Sequence, residues 1–238
     1  MKKALLTLAL GSLLAAPVTV MAETQLKTEE ERLSYSLGLI MGQRLKQDVE
    51  NLNVDIMAQA IKDLYAGNEL KMSEAEVGQT MQAFQQKKVQ EQQEAQAKRA
   101  ADNLKKGEDF LTENGKKSDV KTTDSGLQYQ VLTTGKGDKP QLTDQVKVHY
   151  EGKLLSGQVF DSSYKRGEPV TFKVDQVIPG WQEGLQLMSK GSKLKLFIPA
   201  GLAYGPGGAG GAIGPNETLI FEVELLEINP KAEEKKEG

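Results

Sequence analysis

The chain has no cysteine and a single histidine, His149. The first absence excludes a disulfide framework, a thiol nucleophile and a lipidated leader cysteine. The second excludes a metal site built from several histidines. Basic residues are not in excess either: 30 Lys and Arg stand against 33 Asp and Glu, for a formal net charge of −3. That lacks the electropositive footprint a nucleic-acid partner requires, so none is expected. Aromatics make up only 5% of the 238 residues. The apolar residues are unevenly placed, which points to one compact domain and one extended one.

Long apolar runs are also missing. The nearest is residues 4–16, short of the ~20 residues a spanning helix needs. Preceded by Lys2 and Lys3 and followed by Val20-Met21-Ala22, it reads as a signal peptide over residues 1–22. No transmembrane segment is expected in the mature chain. Without Lys2 and Lys3, 28 basic residues remain against 33 acidic ones, a formal charge of −5. An exported chain without disulfides fits the periplasm or outer surface of a Gram-negative bacterium.

What is present differs between the halves. Leu33, Leu37, Met41 and Leu45 recur every four residues, an apolar stripe on a helix over about 28–50. A second helix is predicted from about Asp55, with Ile56, Ala60, Ile61 and Leu64 on one face and Gly67 at its end. Ser73 and Glu76 form a capping box, in which each side chain satisfies a free amide at a helix start. The helix it opens, over about 73–115, would span roughly 60 Å at 1.5 Å per residue. Residues 85–99 are almost all Gln, Lys, Glu and Ala, good helix formers with no core face, so this part reads as a solvent-exposed stalk. Gly107 is its candidate hinge. The two short helices hold too little apolar surface for a monomeric core, and a homodimer through them is the expected remedy.

Beyond Gly115 the period changes to two: Leu127, Tyr129, Val131; Val146, Val148, Tyr150; Leu194, Leu196, Ile198; Leu219, Phe221, Val223, Leu225. Such alternation marks strands of an antiparallel sheet, and residues 179–188 are long enough for one short helix among them. Alternation also sets His149 facing away from Tyr150, which argues against a hydrolase built on His149 and Asp161. The glycine-rich stretch 205–213 lacks a phosphate-loop signature. Residues 231–238 are mostly Lys and Glu and read as a disordered tail.

Three stretches place aromatic and branched residues beside turn glycines and one acid, the composition of a small apolar ligand site. They are Tyr150 with Phe160-Asp161, then Val177-Ile178-Pro179-Gly180-Trp181, then Ala203-Tyr204-Gly205, with Phe221 following. Through Val148-His149-Tyr150-Glu151-Gly152, Val159-Phe160-Asp161-Ser162-Ser163, Val177-Ile178-Pro179-Gly180-Trp181 and the strand 218–226, the region 126–228 resembles the FKBP-type peptidyl-prolyl cis-trans isomerases. The leader and helical half resemble the family's exported dimeric branch, which includes the macrophage infectivity potentiator and periplasmic chaperone-isomerase proteins.

The resemblance implies an α+β chain: an N-terminal all-α dimerisation domain and stalk over 23–115, then an antiparallel half-barrel wrapping one short helix over 116–230. It implies Trp181 as the floor of a proline-binding pocket, with Tyr150, Phe160, Val177, Ile178 and Phe221 as walls. Tyr204 would hydrogen-bond the substrate carbonyl, the Ile178 amide would hold the chain beyond proline, and Asp161, oriented by Tyr150 or Arg166, would shape the field at the twisting amide. Val170 and Ile213 are implied as further substrate and macrolide contacts; Val170 stands where better-known members carry phenylalanine. The implied partners are unfolded or partly folded proline-containing polypeptides and inhibitors of the tacrolimus type. No cofactor or metal is implied, because rotation about a bond breaks no bond. The alternative is a dimeric periplasmic holdase whose isomerase activity is secondary.

Overall fold

A computed structural model describes residues 26–230; the predicted signal peptide over 1–22 and the predicted tail over 231–238 lie outside the described residues. Thr28 opens α1 (Glu29–Asp48) with a capping box: its hydroxyl accepts the Glu31 amide at 3.1 Å, and the Glu31 carboxylate accepts the Thr28 amide at 3.0 Å. α2 (Val54–Ala66) starts at Asn53, whose side chain accepts from the Ile56 amide at 3.0 Å, and stops at Gly67 in the left-handed region. The Ser73–Glu76 box opens α3 (Glu74–Asn114) as predicted.

The chain divides into two compact units, one up to Glu76 and one from Val77 onward. In the first, the predicted stripe exists but nothing among the described residues of the unit covers it. No residue of α1 is buried, and Ile40 is 66% and Tyr65 89% exposed. A cleft of about 790 Å³ runs between α1 and α2, lined by Leu37, Met41, Leu45, Met57, Ile61 and Tyr65.

The second unit is an antiparallel seven-stranded sheet with the order β1-β2-β6-β7-β3-β4. Its strands are β1 (Val120–Thr122), β2 (Gln128–Thr133), β3 (Gln145–Leu154), β4 (Val159–Ser162), β5 (Val170–Lys173), β6 (Lys193–Ile198) and β7 (Leu219–Ile228). β4 and β5 share one edge of β3, pairing with its second and first halves respectively. In β3, positions 146, 148, 150, 152 and 154 are buried while those between them are not, the alternation read from the sequence. Between β4 and β5 lies a one-turn helix, α4 (Ser163–Arg166). The sheet wraps α5 (Pro179–Leu187), which buries Gly180, Trp181, Gly184 and Leu185. A Cβ at Gly180 would stand 2.4 Å from Ile198, and one at Gly184 2.7 Å from Leu196, so the two glycines let α5 lie directly on β6. The core is Leu127, Val146, Val148, Leu185, Leu196, Leu219, Val223 and their neighbours.

The structure corrects the picture of a free stalk with a hinge. Residues 85–99 are exposed, Lys88 excepted, as expected, but from Ala100 onward α3 packs on the sheet unit. The covered positions, Ala100, Asn103, Gly107, Phe110, Leu111 and Asn114, recur at helical spacing. Phe110 packs on Phe197 with ring centroids 5.8 Å apart. Asn114, 1% exposed, donates to Gln128 Oε1 at 2.9 Å, and Gln128 donates to the Leu111 carbonyl at 2.8 Å. Gly107 is buried, and a Cβ there would fall 2.2 Å from Thr218 Oγ1. This glycine is a close-approach point between the helix and the residue that precedes β7.

Candidate active site

Inward alternation on β3 points Tyr150 into the half-barrel. There it meets Trp181 edge-on, with ring centroids 5.2 Å apart at 87°. Trp181 meets Phe221 of β7 in the same way, at 5.2 Å and 85°, and Phe221 in turn meets Phe160 of β4 at 5.5 Å and 86°. Edge-to-face contacts set the positive rim of one ring on the negative face of the next, so the rings hold one another in fixed orientations. They enclose a cavity of about 310 Å³.

Eight of the residues expected from the sequence line this cavity: Tyr150, Phe160, Asp161, Val177, Ile178, Trp181, Tyr204 and Phe221. Phe172 and Gln176 line it too and were not anticipated. Phe172 stands edge-on to Trp181 at 5.7 Å and closes the wall on the β5 side. Alternation in the pair Val170, Phe172 was the available signal, but β5 is only four residues long. Val170 and Ile213 were expected as contacts and do not line the cavity. Val170 pairs with Val148 and packs against the core, while the buried Ile213 closes the glycine-rich loop by pairing with Ala209. Arg166 is also outside the lining, and it acts on two of the polar residues of the lining.

Those two are Tyr150 and Asp161. The Tyr150 hydroxyl donates to Asp161 Oδ2 at 2.5 Å and accepts from Arg166 Nη2 at 2.8 Å. Arg166 Nη1 donates to the other carboxylate oxygen, and its guanidinium lies over the Tyr150 ring at 5.5 Å. The turn that makes this possible is local. Ser162 caps α4, Gly167 ends it in the left-handed region, and one helical turn brings Arg166 back over Asp161. Partial burial pushes the Asp161 carboxyl up, but hydrogen bonds from Tyr150 and Arg166 and the charge of Arg166 outweigh it and hold the carboxyl below its ordinary range. Burial, then the donated bond to Asp161, pushes the Tyr150 hydroxyl up. At neutral pH the pair is a fixed carboxylate and a neutral phenol, a poor arrangement for proton transfer and a good one for a permanent field.

His149 faces away, as alternation predicts. Its Nδ1 lies 2.9 Å from the hydroxyl of the buried Ser163, and its ring stacks on Tyr164 at 4.6 Å. Burial and a hydrogen bond to Glu224 raise the Tyr164 hydroxyl to about 12. At the mouth, the Ile178 carbonyl accepts from the Trp181 and Gln182 amides and starts α5, and Gln182 steadies the Val177 carbonyl at 2.8 Å. Tyr204 follows the 3-10 turn after β6 and is 42% exposed.

The outer membrane protein MIP of Legionella longbeachae is 40% identical over 233 residues, spanning 98% of this chain and all of that protein. The chain belongs to the FKBP-type peptidyl-prolyl cis-trans isomerases. The family's isomerase domain matches residues 136–226, and the domain amino terminal to it matches 30–131. The peptidyl-prolyl cis-trans isomerase Mip of Coxiella burnetii is 44% identical over 224 residues, 94% of this chain and 96% of that protein. The crystal structure of FkpA from Escherichia coli superposes with a TM-score of 0.78 at 40% identity, over 87% of this chain and 99% of that one. The fold is therefore the FKBP arrangement of an N-terminal helical region followed by an antiparallel sheet around one short helix. The names of these relatives favour the isomerase over the holdase alternative. Among the described residues no helix is long and apolar enough to cross a membrane.

Proposed function

We propose that the 310 Å³ cavity receives the proline ring of an Xaa-Pro segment and lowers the barrier to rotation about the preceding bond. The observation that carries this reading is a cup of edge-to-face aromatics with a single pinned carboxylate at its lip. Rotation must overcome ~18–20 kcal/mol of amide resonance. Water favours the planar, charge-separated amide by hydrogen bonding to it, so moving the amide into the aromatic cup destabilises the ground state relative to the twisted form. In this reading Trp181 is the floor and Tyr150, Phe160, Phe172 and Phe221 are the walls. Tyr204 donates to the substrate carbonyl, and the Ile178 amide holds the chain beyond proline. Asp161, held ionised by Tyr150 and Arg166, supplies a fixed field at the twisting carbonyl, and no proton is exchanged.

Trp181 is the only tryptophan, so its fluorescence reports on the cup alone. Titration with a Xaa-Pro peptide or a tacrolimus-type macrolide should change that emission saturably, and more weakly in Tyr204→Phe. Emission that never responds in the folded protein would place the binding site elsewhere.

The exposed stripes of α1 and α2 are assigned to a second copy of the chain, because nothing among the described residues of the first unit covers these apolar faces. In this organisation α1 and α2 form the dimer, the exposed part of α3 is the stalk, and residues 116–230 are the catalytic domain with the end of α3 docked on it. Exported, proline-containing polypeptides in the periplasm or at the outer surface are the proposed substrates, after removal of the leader.

A further inference from the structure

The last turns of α3 reach the part of the sheet unit that carries Tyr204. The chain leaves β6, passes Tyr204, runs through the glycine-rich loop 205–216 and returns through Thr218 into β7. The two ends of that loop are tied by one backbone bond, from the Asn216 amide to the Gly205 carbonyl at 2.8 Å. Asn216 is held at φ 53°, a left-handed conformation that asparagine tolerates better than most residues.

The residues around this tie are held by the long helix. Asn103 Nδ2 lies 2.8 Å from the Pro215 carbonyl and 3.1 Å from Glu217 Oε1, so both hydrogens of one amide go to the two neighbours of Asn216. Asn216 itself donates to the Ala100 carbonyl at 3.3 Å. Gly107, one turn further on, lets the helix approach Thr218. Pro215, Asn216 and Glu217 are thus each fixed by residues more than a hundred positions earlier. Asparagine suits the task because aspartate has no hydrogens to give and would face Glu217 as a like charge.

We infer that Asn103 is a positioning residue for the isomerase rim: from α3 it anchors the base of the 205–216 loop and so fixes Tyr204, adjacent to the tie at Gly205, at the mouth of the cavity. The inference rests on the proposed role of Tyr204 and adds that the long helix is part of the machinery that presents it. A group that touches no substrate but sets the placement of one that does changes turnover through that group alone.

The test uses the full-length protein and the variants Asn103→Ala, Asn103→Asp and Asn216→Gly; the last keeps the left-handed backbone and removes the bond to Ala100. Two readouts are followed: amide hydrogen exchange, and kcat/KM on a Xaa-Pro tetrapeptide. The Ala209 and Ile213 amides, which close the rim loop by bonding to each other's carbonyls, should exchange about tenfold faster in the variants, with β3 and β6 amides unchanged. Turnover should fall by about three- to tenfold, most in Asn103→Asp, and the fall should vanish in a Tyr204→Phe background. Rim amides that keep wild-type exchange in folded Asn103→Ala and Asn216→Gly overturn the anchoring. Faster rim exchange with unaltered kcat/KM, or a loss that persists in Tyr204→Phe, overturns the link to catalysis. Full turnover in Tyr204→Phe alone overturns the role of Tyr204, while rim exchange still decides the anchoring. Should Asn103→Ala lose protection throughout the sheet, Glu217→Ala decides, since it removes an acceptor of Asn103 and leaves the helix sequence intact.

Discussion

The Tyr150 hydroxyl gives its one hydrogen to Asp161, 2.5 Å away, and takes one from Arg166 at 2.8 Å, while Arg166 also holds the other Asp161 oxygen. Three side chains from β3, β4 and α4 thereby fix one negative charge at the edge of an aromatic cup. An ion pair open to water contributes little to stability, and more than two fifths of the Asp161 side chain is exposed. The arrangement matters for where the charge is held.

Removing that charge should slow catalysis without unfolding the protein. Asp161→Leu is expected to lower kcat/KM by about tenfold or more, on the order of 1.4 kcal/mol of transition-state stabilisation, with the melting temperature nearly unchanged. A protease-coupled tetrapeptide assay beside a thermal melt checks it. Wild-type turnover would remove Asp161 from the site.

The direction of the Asp161 shift fixes the shape of the pH profile. A carboxyl held low remains ionised as pH falls from neutrality, so kcat/KM should stay flat until below the ordinary carboxylate value of ~3.9. Arg166→Leu removes a donor and a positive charge, and its acid limb should begin at higher pH. The same sign governs stability: the contribution of this group is present above its unfolded value and is lost as pH falls through the folded one. Profiles of the two proteins that superimpose contradict the assignment.

At Gly107 the usual helix rule should reverse. Glycine to alanine in an exposed helix stabilises by about 1 kcal/mol, but here the new methyl would meet Thr218. Gly107→Ala should destabilise by about 1–3 kcal/mol, and Thr218→Ala added to it should recover most of the loss. Denaturant unfolding of the single and double variants measures both.

The uncovered faces of α1 and α2 predict a dimer in solution. Leu37→Asp or Ile61→Asp, each placing a charge in the cleft between the helices, should yield monomers by sedimentation equilibrium and leave tetrapeptide turnover per chain unchanged. Variants that stay dimeric would move the interface elsewhere.

The strands were legible because burial on one side imposes period two, and Val146, Val148 and Tyr150 display it without interruption. The start of α3 was legible because its capping box is complete in four residues. The docked end of α3 was not. Its buried stripe is Ala100, Asn103, Gly107, Phe110, Leu111 and Asn114, half of it polar or glycine, and its partners are backbone carbonyls and side chains far along the chain. Apolar periodicity cannot register a face held by amide groups. Within the site, the motif residues from Tyr150 to Trp181 were identified, while Phe172 was hidden in a strand too short to show its period. Val170 and Ile213 have wall-like side chains, and only the sheet pairing and the loop closure show that they face the core.

The isomerase cavity is tested most directly by cis-trans exchange of a Xaa-Pro tetrapeptide in the presence of the purified protein, with a tacrolimus-type macrolide titrated in. Uncatalysed exchange takes tens to hundreds of seconds. Rapid exchange that the macrolide abolishes at one equivalent per chain is expected; exchange that stays at the uncatalysed rate with a folded protein would contradict an isomerase site in this cavity.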